Sequence, residues 1–303
     1  MWSFKRKPGT PPALITGIIV PQSACDAEEP YALPSAVVDY VNHMLHVAFY
    51  ERDELPAEAL WSYYVDYYLA QVNNGGHGQF VSNSGWRDAT RADIDAGLTA
   101  IGLDDAMAIF TDLQRFADGQ PERFARATEG AGFGEADPII ADLDSRFFAG
   151  PSKTLSAANG AWLRRLPHLR VVADGDYRAE LDALAQRNTA ADARRVERER
   201  LAREAQERDP LIQTFVYLLG KARPPLVYRS WNAGYPQRRN DGTIIHLFGV
   251  NTDAGLIYAV LSRHAAGLAH DIAAGPIVTV PAAKLDQHLR KKTGRILSEV
   301  LDF

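Results

Sequence analysis

The chain has a single cysteine, Cys25, among its 303 residues. One thiol excludes an intramolecular disulfide framework and any cysteine-based zinc cluster, and it points to a reducing, cytoplasmic setting. No apolar run approaches the ~18 residues needed to cross a bilayer, so no membrane partner is expected. A Walker lysine and a Gly-x-Ser-x-Gly elbow are both missing. Gly130-Ala131-Gly132-Phe133-Gly134 has phosphate-loop glycines, but no strand precedes it and the third glycine is misplaced, so it reads as a glycine loop. The eight histidines are scattered; His43 and His46 stand three apart, and His264 and His270 six apart. Neither a metal nor a cofactor is expected from such a set. Asp104-Asp105 and Asp142/Asp144 offer carboxylates, yet neighbouring positions on a helix point apart, so no general acid/base pair is implied. No catalytic residue is nominated.

What the chain does have is an uneven distribution of charge. Hydrophobic residues make up 46% and charged residues 23%, the composition of a globular protein, and the length suits two domains. The net charge of −5 conceals opposite halves. Residues 26–172 hold 22 acidic and 11 basic side chains, whereas residues 210–303 hold 6 and 11. Halves of opposite sign are expected to meet different partners.

Hydrophobic periodicity divides the chain further. Residues 1–34 read as a basic arm, led by Lys5, Arg6 and Lys7, leading into a short edge strand or extended segment. Pro11, Pro12 and Gly17 break the apolar run that would make it an export signal. Residues 35–172 carry helical spacing throughout and predict an all-α domain of short helices. Ser35 is placed to cap the first of them, Asp137-Pro138 opens a later one, and Gly85, Gly102 and Gly150 close others. Residues 173–209 end in a run of Arg, Glu and Ala and predict a charged helical linker supported by pairs such as Arg200/Glu204. Residues 210–303 begin with a short helix. Strands then follow near Leu226–Trp231, Thr243–Val250, Leu256–Leu261 and Ile277–Val280, and helices near Lys284–Leu289 and Ile296–Leu301. That grammar predicts a small α+β domain with an antiparallel meander.

One segment stands apart: Asn73-Asn74-Gly75-Gly76-His77-Gly78-Gln79-Phe80, continuing to Asn83-Ser84-Gly85. Physically it is a helix end, a glycine-permitted reversal and a short second helix. Its amides are placed to close hydrogen bonds at the helix ends, and Phe80 to pin the turn to the core. The alternative is a polar pocket, which would make the protein an enzyme acting around Asn73, Asn74, His77, Gln79 and Asn83. This string, with Ile101-Gly102 after it, resembles the hallmark of the bacterial DNA-mimic-protein-like domain family, from about Ser35 to Leu169. The resemblance implies an all-α fold and a non-catalytic acidic module that occupies the nucleic-acid surface of a basic DNA-binding protein.

Charge spacing bears on that role separately. DNA presents one negative charge per ~1.7 Å of axis, and helical carboxylates three or four residues apart stand about 5–6 Å from one another. Asp88, Asp93, Asp95, Asp104, Asp105, Asp112, Asp118 and Glu122 fall mostly off the apolar faces and are the expected protein-binding surface. A rival reading takes the second half. Arg229, Arg238, Arg239, Lys291, Lys292 and Arg295, interleaved with Trp231 and Tyr235, make a candidate basic patch for nucleic acid.

Overall fold

The computed structural model describes residues 15–128, 137–232, 234–239, 241–271 and 275–301. The chain divides into two compact units, Met1–Arg195 and Val196–Phe303, each with its own hydrophobic core. Lys5, Arg6 and Lys7, and the glycine loop at Gly130–Gly134, lie outside the described residues.

Among the described residues the first unit opens with a short strand, where an extended segment or edge strand is expected. β1 (Ile18–Pro21) pairs in parallel with β2 (Leu169–Val172), in register Ile18↔Leu169. What the sequence did not announce is the burial of this strand in the core and its pairing with the end of the helical domain. Ile18, Ile19 and Val20 are all buried, with α2 (Ala32–Asn42) and α9 (Asp174–Arg187) packed against the strand. A strand covered on both faces reads as a continuous apolar run, so no alternation announced it. α1 (Gln22–Asp26) follows β1. α2 begins a turn earlier than the Ser35 cap predicts, because the Ser35 N–H is already bonded to the Tyr31 carbonyl at 2.9 Å. A π-helical turn, His43–Val47, ends that helix.

The helical body is α3 (Ala57–Ser84), α4 (Asp88–Ile101), α5 (Asp104–Gly119), α6 (Pro121–Thr128), α7 (Pro138–Ala149) and α8 (Pro151–Leu163). Gly85 and Gly102 close α3 and α4 in the left-handed conformation, at φ 60° and 76°. Asp137 caps α7 by accepting the Ile139 N–H at 2.9 Å, with Pro138 in the first turn. α3 runs through the middle of this body, with α2, α4, α6, α7 and α8 all against it. α9 belongs to the same core, burying Leu181 and Leu184, so the first part of the charged segment is docked and not a free spacer. α10 (Ala191–Arg208) buries no side chain. Its outer face carries an Arg200 bridge to both Glu197 and Glu204. Near its start, Arg194 grips the buried Glu54 with two bonds of 2.7 and 2.9 Å.

The second unit is a six-stranded antiparallel sheet beside two helices. α11 (Pro210–Leu219) precedes β3 (Tyr228–Trp231), β4 (Tyr235–Arg238), β5 (Ile244–Thr252), β6 (Gly255–Ser262), β7 (Ala265–Ala269) and β8 (Val278–Pro281); α12 (Ala282–Thr293) follows. The strand order is β3-β5-β6-β7-β8, with β4 also on β5. Phe248, Ile257, Ala259, Leu261 and Leu268 form one core with Phe215, Leu218 and Leu219 of α11 and Leu285 and Leu289 of α12. The meander is as expected. Two of its strands, β4 and β7, are additional; Tyr-Pro-Gln-Arg and Ala-Ala-Gly-Leu-Ala carry weak strand propensity. The expected last helix is a single 3-10 turn, Leu297–Glu299. Among the described residues no helix is long and apolar enough to cross a membrane.

Candidate functional site

The conspicuous segment breaks α3 in the middle of the first unit. Gly75 and Gly76 leave helical geometry, and Gly76 does so at φ 73°. A Cβ at Gly76 would lie 2.4 Å from Asp144 Oδ2. Backbone sign and available space therefore both require glycine there. The half-helix restarting at His77 has open N–H groups, and α7 supplies the acceptor. Asp144 Oδ1 receives the His77 backbone N–H at 2.8 Å and stands 2.6 Å from His77 Nδ1. On the far side of the ring, Nε2 is 2.8 Å from the Tyr68 hydroxyl. Burial, with the Asp144 charge nearby, pushes the Tyr68 phenol well above its ordinary range. The phenol thus stays protonated, and its hydroxyl and the Asp144 carboxylate bracket the two nitrogens of the His77 ring.

This relay is sealed by aromatic rings. Tyr68 packs edge-on against Phe80, Phe110 and Phe147 at centroid distances of 4.9, 5.3 and 5.3 Å. His77 and Tyr68 are each 0% exposed, and the relay meets solvent only at Asp144, whose side chain is 23% exposed. The other motif residues act elsewhere. Gln79 and Asn83 both donate to Gln71 Oε1, at 3.3 and 2.6 Å. Asn73 Oδ1 accepts from the Ser152 hydroxyl at 2.8 Å, and Asn74 is exposed. Ser84 turns back onto Val81 and receives the Trp86 N–H before Gly85 reverses the chain. Of the five residues named for a polar pocket, only Gln79 and Asn83 share a partner. What the segment builds is a knot tying α3 to α7 and α8. Sequence reasoning missed Tyr68, Gln71 and Ser152, and it set Asp144 aside together with Asp142. A partner 67 residues away leaves no local signal.

The eight nominated acids divide by neighbour. Asp88 is bridged by Arg91, and Asp93 by Arg52 from the turn before α3. Burial raises the Asp93 carboxyl despite that arginine, which shows how far it is withdrawn from water. Asp112 is shared by Arg115 and by Arg146 of α7, the latter at 2.8 Å, and these hold its carboxyl below the usual range. Asp95, Asp104, Asp105, Asp118 and Glu122 are exposed, and among the described residues no cation pairs with them. They lie along α4, α5 and the first turn of α6.

The nominated basic residues are not brought to one place. Tyr228, beside Arg229, pairs with Thr252 at one end of β5, and Arg238 pairs with Ile244 at the other. Eight residues of strand separate those ends by roughly 27 Å. Arg295 is held by Glu299, and Lys291 and Lys292 belong to the last turn of α12. The side chains of Arg229, Arg238 and Arg239 are exposed.

No curated protein and no solved structure matches the chain. The family model described as DMP19-like protein matches residues 53–166, from the turn ahead of α3 to the end of α8, so the helical body holding both the knot and the acidic face is similar to that family.

Proposed function

We propose that the helical unit is a non-catalytic protein-binding module whose acidic face occupies the nucleic-acid surface of a basic DNA-binding protein. The observation that carries this reading is the row of exposed, uncompensated carboxylates on α4, α5 and α6 within the matched segment, where 17 acidic residues face 9 basic ones. Asp118 is the most telling of them. It lies in the last turn of α5, where the helix dipole opposes a negative charge. Asp104, Asp105 and Glu122 occupy first turns, where the dipole favours them, so helix stability alone accounts for those three. Asp118 and Asp95 have no such use, and a cationic partner supplies one.

The test immobilises the full chain and passes a bacterial lysate over it. The proposal expects retained DNA-binding proteins that elute with rising salt and are displaced by duplex DNA. A variant with Asp95, Asp104, Asp105 and Asp118 changed to Asn and Glu122 to Gln is expected to retain none of them. Empty eluates, or partners indifferent to salt and DNA, refute the proposal.

A further inference from the structure

The second unit carries a group of cations that its own packing does not use. Tyr217 projects from α11, and Lys221, four residues on, places its ammonium 5.2 Å from the centre of that ring. From α12 the His288 imidazole stacks on the same tyrosine, with centroids 4.3 Å apart and planes 31° from parallel. Lys291 and Lys292 follow His288 by three and four residues, the spacing that sets side chains on one helix face. Burial lowers the His288 pKa first, and Lys292, Lys221 and Lys291 each lower it further with no carboxylate opposing them. All three lysines are exposed, and among the described residues no acidic side chain pairs with any of them.

The dipole of α12 favours Lys291 and Lys292 at its C-terminal end but does nothing for Lys221, which arrives from another element. Three like charges around one pair of rings repel one another, and that repulsion is relieved when an anion neutralises them. The ammonium groups come from α12 and from the turn after α11, and they stand in water. They are therefore suited to successive phosphates along a chain more than to one enclosed anion. We propose that Lys221, Lys291 and Lys292, gathered about the stacked Tyr217–His288 pair, bind the phosphodiester backbone of a nucleic acid. Residues 210–303, with 11 basic and 6 acidic side chains, give that contact an attractive long-range field. The site lies on the second unit and stands or falls separately from the acidic face of the first.

The experiment titrates the full-length protein into short fluorescent single-stranded and duplex oligonucleotides over a range of salt. Binding should weaken steeply with salt, and log K against log salt should be flatter by about two to three units in the triple variant Lys221→Gln/Lys291→Gln/Lys292→Gln. Affinity at about 100 mM salt should fall at least tenfold in that variant. Arg238→Gln/Arg239→Gln should stay within twofold of the parent. Followed by NMR, the His288 titration should move to higher pH when the oligonucleotide is bound, since phosphates offset the lysines. Absence of binding at roughly 50 mM salt overturns the proposal, as does equal affinity in the triple variant. Loss confined to the Arg238/Arg239 variant would place the contact on β4 instead, and equal displacement by poly-glutamate would assign the surface to acidic proteins.

Discussion

Replacing Asp144 by alanine tests the knot most directly, because one carboxylate oxygen serves two donors. Asp144 Oδ1 accepts the His77 backbone N–H and faces His77 Nδ1, at 2.8 and 2.6 Å. Without it both donors are stranded next to a ring that is 0% exposed. A buried donor left without a partner costs about 1–3 kcal/mol. Water entering where the carboxylate stood relieves the backbone N–H more readily than the imidazole, so the expected loss is about 3 kcal/mol. Asp144→Asn keeps a neutral acceptor and should cost about half as much. In a double-mutant cycle with His77→Phe, the two changes should be non-additive by at least ~1 kcal/mol. Because each unit has its own core, hydrogen exchange at the His77 to Phe80 amides isolates the first from the second. If Asp144→Ala changes that exchange free energy by less than ~0.5 kcal/mol, or shows no coupling to His77, the knot is not what secures α7.

Gly76→Ala should destabilise the first unit by more than about 2 kcal/mol in thermal unfolding, since it combines left-handed strain with the approach to Asp144. Asp66 is buried, and that burial raises its carboxyl to about 6 from 3.8. The folded state therefore holds the proton more tightly, so stability is fullest below pH 4 and is lost as pH rises through 6. Asp66→Asn should accordingly be more stable than the parent at neutral pH, by about 2–3 kcal/mol in denaturant titration, with the difference vanishing near pH 4. Arg194→Ala removes two charge-assisted hydrogen bonds from Glu54, which is 3% exposed, and should cost about 3 kcal/mol, read as release of α10 in hydrogen exchange. Asp118→Asn should raise the melting temperature slightly, by removing a dipole conflict worth ~0.3–1 kcal/mol, while weakening capture of basic partners.

Local signals made most of the fold legible and almost none of the knot's wiring. The glycines at 75, 76, 85 and 102, the Asp137-Pro138 start and the alternation along β5 and β6 each report a conformation decided by a few neighbouring residues. β1 was expected as an extended segment or edge strand, but its burial was hidden because a doubly covered strand of four residues has no period to show. The docking of α9 was hidden because two leucines in a charged sequence do not outweigh its composition. Charge counting nominated eight acids but gave no sign of which ones an arginine faces. Arg52 reaches Asp93 across 41 residues, and Arg146 reaches Asp112 across 34. The basic patch failed for the same reason: adjacency in sequence gathered Arg229 with Arg238, whereas β5 holds them at opposite ends, and packing of α11 on α12 gathered Lys221 with Lys291 instead.

The knot and the acidic face are parts of one device, because α7 serves both. Asp144 fastens α7 to the break in α3, and Arg146, two residues later, reaches Asp112 on α5 and Asp142 on α7 itself. α7 is thus a strap from the central helix to the helix that carries Asp104, Asp105 and Asp118. A surface that competes with a phosphate backbone needs its charges at fixed separations, since the entropy of ordering loose side chains and helices subtracts from the electrostatic gain. Arg146 neutralises part of that surface, so its presence weakens the field while holding α5 in place. A protein selected only for acidity would have no use for that arginine; one selected for spacing as well as charge would keep it. The sealed Tyr68–His77–Asp144 chain adds to that strap: its hydrogen bonds hold α7 to the restart of α3 at a place that meets solvent only at the carboxylate.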